Sequence, residues 1–156
     1  MAIYMKYGNI KGPVTTDGFK DWIELSSFQW GAGRAIGSAT GHSNSREHSS
    51  PSFSEVTVRK RTDLSSPELF LEAVAGRLDN KVTLKFTTTT KGKVETFLTY
   101  ELTDCGLSGC ALTSEGDMPT ESLRLNYTKI TETFADPATG GSPKTVGYDL
   151  TKMKTI

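Results

Sequence analysis

Apolar residues at every second position, repeated in short runs with turn residues between them, constrain this chain more than any other feature. Val56 and Val58, then Val82, Leu84 and Phe86, then Leu98, Tyr100 and Leu102, then Leu123, Leu125 and Tyr127 all alternate with polar neighbours. A period of two turns one side of an extended strand toward a core and the other toward water. Several such runs, punctuated by Gly, Ser, Asp and Pro, predict a mainly β fold, either a barrel or a sandwich. The 156 residues suit one domain, so residues 1–156 are read as a single unit.

The chain divides naturally at its turn signals. Ile3–Tyr7 reads as a first strand stopped at Gly8, and Gly12-Pro13 and Asp17-Gly18 mark turns. Between Trp22 and Trp30 the alternation changes phase: Ile23 and Leu25 share one parity, Phe28 and Trp30 the other. The break falls at Ser26-Ser27 and predicts a bulge or a sharp bend. Later strands are expected over Phe53–Arg61, Lys81–Thr90, Val94–Thr103, a stretch through Cys105–Ser114, Glu121–Phe134 and Val146–Met153. Lys91-Gly92-Lys93 reads as a hairpin turn, and Asp136–Pro143 as a loop.

One helix interrupts the strands. Ser65-Ser66-Pro67-Glu68 offers an N-cap, a proline suited to the first turn and a capping-box glutamate three residues after Ser65. Leu69, Phe70, Ala73 and Val74 follow as an apolar stripe at helical spacing, and Gly76 closes the element. The stripe is expected to pack over one open end or side of the barrel.

Residues 31–51 differ from the rest. They are rich in Gly, Ser, Ala and Asn, hold both histidines, and have almost no large apolar side chain. A polar loop of this length inside a compact domain is uncommon and is usually functional or disordered.

Charge and composition exclude several classes. The 18 basic residues balance 18 acidic ones, without the basic excess that phosphate backbones select. Arg59-Lys60-Arg61 is locally basic but sits beside Glu55 and Asp63. No nucleic-acid partner is therefore expected. No stretch approaches the roughly 20 apolar residues of a membrane span, and no signal-peptide pattern opens the chain. Cys105 and Cys110 are too few for a zinc site or a disulfide scaffold, leaving two thiols or one local bridge across Gly106–Gly109.

Catalytic constellations are equally sparse. His42 and His48 lie in the polar loop, and although Glu47 adjoins His48, no HExxH, GxSxG, CxxC or phosphate-cradling pattern is present. Asp104, Asp117 and Glu121 flank turn signals, where carboxylates are ordinarily solvated or cap a turn. Trp22 and Trp30 read as packing residues, with an aromatic platform for a glycan or base as the alternative. No cofactor or metal is expected, and no enzymatic activity.

Several stretches in order resemble the hemolysin-coregulated protein (Hcp) family of type VI secretion. They are Gly12, Asp17–Leu25 (DGFKDWIEL) and Ser27–Gly31 (SFQWG), then Ser54–Asp63 (SEVTVRKRTD), Ser65–Phe70 (SSPELF) with Gly76, and Pro119 with Glu121–Ile130. The resemblance implies a bent β-barrel of two sheets with one short flanking helix, similar to phage tail-tube subunits. It implies six copies in a ring, and rings stacked into a tube inside a contractile sheath. Such a tube carries a spike protein at its tip and effectors in its lumen. It also implies residence in the bacterial cytoplasm before firing, then secretion to the medium or a target cell without a cleaved signal peptide. Under that reading the polar loop, with Gly33, Arg34, His42, Ser45, Arg46, Glu47 and His48, is expected to contact the next ring, while Ser65, Ser66 and Glu68 cap the helix. A monomeric barrel that binds a ligand or glycan is the alternative.

Overall fold

The computed structural model describes residues 1–37 and 49–156. Its elements, in order, are β1 (Ala2–Tyr7), β2 (Ile23–Leu25), β3 (Ser27–Gln29), β4 (Ala32–Gly33), β5 (Ser52–Phe53) and β6 (Val56–Arg61). Then come α1 (Ser66–Ala75), β7 (Asn80–Thr90), β8 (Lys93–Thr113), β9 (Thr120–Asn126), β10 (Lys129–Phe134), β11 (Lys144–Asp149) and β12 (Lys154–Thr155).

All the strand pairings among the described residues are antiparallel, and apart from the small β4–β5 pair they build two sheets that share β8. The first runs β12-β11-β10-β8-β7-β1-β2, and the second joins β3, β6, β9 and the far half of β8. The expected bend at Ser26-Ser27 is present: β2 belongs to the first sheet and β3 to the second, with Ser26 alone between them. Its amide donates to the Arg59 carbonyl (2.8 Å), so the corner stays within the hydrogen-bonded network. Following neighbours from β8 through β7, β1, β2–β3, β6 and β9 returns to β8. This closed circuit is the bent barrel, and β10, β11 and β12 extend from it as a wing.

A second corner lies opposite. The sequence reading separated Val94–Thr103 from Cys105–Ser114, but the structure makes both one 21-residue strand, β8. Glu121–Phe134, read as one strand, is instead split into β9 and β10 by Tyr127-Thr128. Across the corner β9 and β10 lie along β8 in one register, Asn126 opposite Gly106 and Lys129 opposite Thr103, which shifts by one residue only beyond Leu107. The ribbon therefore turns as a unit from one sheet into the other. Asp104 takes φ +50° at the bend, and the Thr128 hydroxyl donates to its carboxylate and to the Thr103 carbonyl, both at 3.3 Å. Short polar side chains tolerate the left-handed region better than most, which suits aspartate here.

The alternating residues face inward as expected. Met5, Tyr7, Ile23, Val56, Val58, Val82, Leu84, Leu102, Leu123 and Leu125 are fully buried in one core. Each such aliphatic side chain contributes roughly 1.5–3 kcal/mol on transfer from water. Tyr4, on the opposite parity of β1, packs with Val14 and Phe19 in a smaller cluster, where the segment after Gly8 folds over the outer face of the first sheet. The hairpin at Lys91-Gly92 is a two-residue turn with φ of +51° and +76°, the primed geometry that matches strand twist.

The helix differs from expectation in two ways. Leu69 is buried and Ala73 half-buried, but Phe70 and Val74 stay 60% and 66% exposed, so only half of the stripe packs. The packed half faces β8, which leaves the rest of the stripe turned away from the barrel. The capping box also fails to form, because the Ser65 hydroxyl donates to Asp63 and no side chain caps the first turn. Gly76 does end the helix, although in extended geometry: a Cβ there would lie 2.4 Å from the Glu72 carbonyl oxygen.

Gly12 is enclosed even more tightly. An added Cβ would lie 2.2 Å from the Trp22 carbonyl oxygen and 2.7 Å from Ile23 Cγ1. Because the obstacle is backbone, relief requires moving the 12–22 loop off the sheet. Gly12→Ala should lower unfolding free energy by about 1–3 kcal/mol, measured by urea denaturation.

Candidate functional site

Two kinds of feature could carry function: a polar cluster with the elements of chemistry, and open faces with the elements of assembly. The polar cluster lies under the start of α1. Lys60 follows Val56 and Val58 on the inward parity of β6, and Glu121 precedes Leu123 and Leu125 on that of β9; the two are directly opposite in register. Lys60 is fully buried and Glu121 nearly so. The Lys60 ammonium donates to Glu121 Oε2 (2.8 Å), the Arg61 carbonyl (2.9 Å) and Ser66 Oγ (3.0 Å), with Asp63 Oδ1 at 3.1 Å. Ser66 in turn donates to Glu121 Oε2 (2.6 Å) and accepts from the Asp63 amide (2.9 Å).

A serine, a lysine and a carboxylate in contact suggest nucleophilic catalysis, but the environment opposes it. A general base needs a free lone pair, whereas this ammonium has none and shares its three N–H groups among four oxygens. The serine hydroxyl is already committed to a carboxylate inside the core. The arrangement is a clamp: it joins β6, β9 and the first turn of α1 at one point. From sequence, Glu121 is expected to be solvated or to cap a turn, and Lys60 belongs to a locally basic run beside Glu55 and Asp63. The structure instead buries Glu121 against Lys60, because strand parity outweighs charge once the two can neutralise each other across a pair.

The cysteines lie in one extended strand. Cys105 is buried and Cys110 half-buried; both are free thiols, so no bridge spans Gly106–Gly109. Five residues of strand separate them by roughly 16 Å, well beyond disulfide reach. Burial pushes the Cys105 thiol up to about 12. Cys110 is raised as well, by burial first and then by Glu121, against a lowering by Lys60. Among the described residues, no group of three or more His, Cys, Asp or Glu side chains is placed to hold a metal. No described helix is long and apolar enough to cross a membrane.

The tryptophans belong to different clusters and form no joint platform. Trp22 packs edge-on against Phe19, with the Lys85 ammonium 5.5 Å from its ring centre. Trp30 donates to the Tyr127 hydroxyl (2.7 Å), which donates on to the Ser54 carbonyl (2.7 Å).

Of the expected loop residues, Gly33 and Arg34 are placed in or beside the stem, while His42, Ser45, Arg46, Glu47 and His48 lie outside the described residues. The stem is a small antiparallel pair, β4 with β5. Gly31 and Ser54 exchange hydrogen bonds at 2.9 Å, and Ala35 and Ser49 do the same at 3.0–3.1 Å. Ser66 of the expected helix cap belongs to the clamp, and Glu68 lines a polar cleft beside Tyr7.

The open faces were not legible beforehand. Phe70, Leu71 and Val74 form an exposed apolar face on α1. A second apolar surface occurs where the first sheet overhangs the second. There Trp30, Phe53, Val146 and Tyr148 line a groove of about 320 Å³ beside Ile130 and Glu132. Phe53 stacks on Tyr148 at 5.0 Å, which brings the loop stem over the wing. Glu132 accepts from the Tyr100 hydroxyl (2.6 Å), and burial together with this carboxylate holds the Tyr100 phenol above its ordinary range.

A bent β-barrel of two sheets, turned at two strand corners and flanked by one helix, is the class of fold this chain adopts. The family model described as "Type VI secretion system effector, Hcp" matches residues 4–134. The chain belongs to the Hcp family of type VI secretion. A solved structure of a type six secretion system protein is similar along 99% of both chains, at 26% identity and a TM-score of 0.85. Hcp1 from Salmonella typhimurium is similar at 21% identity and a TM-score of 0.76, covering 99% of this chain and 98% of that one. A type VI secretion system effector from Yersinia pestis is similar at 18% identity and a TM-score of 0.75, covering 94% and 98%. A search of curated protein sequences finds no significant match.

Lys60→Met or Glu121→Leu alone should destabilise the fold by about 3–5 kcal/mol, since each strands a buried charge; the pair together should recover much of the loss, as read by denaturant titration. The thiols provide a second check. A raised thiol stays protonated in the folded state, so its stabilising preference holds below its ordinary value near 9 and fades as pH climbs toward 12. With a thiol reagent at pH 8, Cys105 should react only on unfolding and Cys110 slowly without it. Rapid modification of both thiols in the folded protein would contradict this placement.

Proposed function

We propose that this chain is the structural subunit of a type VI secretion inner tube. Six copies close into a ring, rings stack into a tube within a sheath and beneath a spike protein, and the tube is ejected with effectors in its lumen. The carrying observation is the family match over residues 4–134. On this reading the protein is held in the bacterial cytoplasm, leaves without a cleaved signal peptide and performs no catalysis.

The physical features support such a role. A ring needs two different, mutually complementary faces on each copy. Near-zero net charge keeps long-range repulsion between copies small. The outer edge of β11 over Lys144–Val146 lies beyond the reach of β12, which pairs only at Tyr148 and Asp149. Unpaired strand edges are normally a liability, and a ring employs them. The loop between Gly33 and Ser52 leaves and re-enters the barrel at one place, the β4–β5 stem, as a tether toward a neighbouring ring would.

Light scattering of the purified protein should give six-chain particles, and electron microscopy should show annuli. Deleting Arg34–Glu47 should leave rings intact while weakening their stacking. A monomer at high micromolar concentration whose tryptophan fluorescence is quenched by a glycan would establish the ligand-binding alternative instead.

A further inference from the structure

We propose that the exposed face of α1 in one copy docks into the overhanging groove of the next, making this contact the ring-closing interface. The inference rests on the ring reading above and says which surfaces meet. Phe70, Leu71 and Val74 are each at least 60% exposed, and Leu78 just beyond the helix is 74% exposed. This is a contiguous apolar stripe on a helix whose other side is already used against β8. Contiguous apolar patches on soluble chains mark interaction sites.

The groove offers the complementary surface. Val146 and Tyr148 lie on the core-facing parity of β11, in register with Glu132 and Ile130 of β10, yet β11 extends past the second sheet. Core-type side chains are therefore left without a roof except for Trp30 and Phe53, and Val146 is 52% exposed. A ridge of three side chains on a helix is the shape that such a trough accepts.

Charge selects the pairing and its direction. The only charged residues of α1 are Glu68 and Glu72. Lys144 lies two residues from Val146 on the same face of β11, at the rim of the groove, and Glu132 of the groove lining already accepts from the Tyr100 hydroxyl. The acidic helix thus meets Lys144 at the rim of the groove, whereas helix against helix would set like charges together. The two faces differ, so the contact is head-to-tail and propagates around a ring rather than ending at a dimer.

Two experiments test this in the full chain. Phe70→Ser with Val74→Ser changes exposed positions only, so the circular dichroism spectrum should be unaltered. The concentration at which rings dissociate should rise at least about tenfold, consistent with loss of central apolar anchors. In a Cys110→Ser chain, Val74→Cys with Val146→Cys should give, on oxidation, a ladder of linked chains ending at six. Either cysteine alone should give no ladder. Wild-type protein that never forms rings would overturn the ring reading itself. Wild-type rings, with the serine variant equally stable and the paired cysteines unlinked, would overturn only this interface.

Discussion

The long ribbon of β8 against β9 and β10 is the constraint on which the remaining architecture depends. One register holds from Thr103–Lys129 through Gly106–Asn126, so both strands must turn together at Asp104 and Thr128. That shared turn carries the chain from the first sheet to the second and leaves β10 on the outer side of β8. With β10 there, β11 and β12 can only extend outward as a wing. The corner at Ser26 then closes the circuit on the other side. Antiparallel pairing is local and additive, but a coupled bend is not. Straightening either strand breaks the ladder on both.

The clamp of Lys60, Glu121 and Ser66 fixes the helix to this frame. Apolar packing through Leu69 is non-directional and would tolerate a rotated helix. A buried ammonium surrounded by four oxygens tolerates far less, since displacement of one partner leaves a charge uncompensated. Orientation of α1 decides which side of it faces outward. The side left open holds Phe70, Leu71 and Val74, so a polar contact in the core governs an apolar surface outside it.

Much of the fold was legible in the chain. Period-two alternation located the core faces of β6, β7, β8 and β9, and the phase change at Ser26 located one corner. Turn chemistry located Gly8 and Lys91-Gly92. The same parity rule, applied to Lys60 and Glu121, would have placed both inward; their charge argued against it until the cross-strand partner was known. The second corner was obscured for a different reason. Asp104 and Thr128 look like ordinary turn residues, and only their pairing across the ribbon shows that the strands continue through them.

What the sequence by itself determined was therefore local: where strands alternate, where the backbone can turn, where a helix starts and stops, and that no catalytic pattern is written in contiguous residues. The ordered set of motifs also carried the family resemblance. Tertiary structure alone decided that half of the helical stripe stays outside and that Trp30, Phe53, Val146 and Tyr148 meet in one groove. These residues span more than a hundred positions of chain, and their meeting depends on how far the first sheet extends past the second. Periodicity reports which face of a strand is apolar; it cannot report what covers that face.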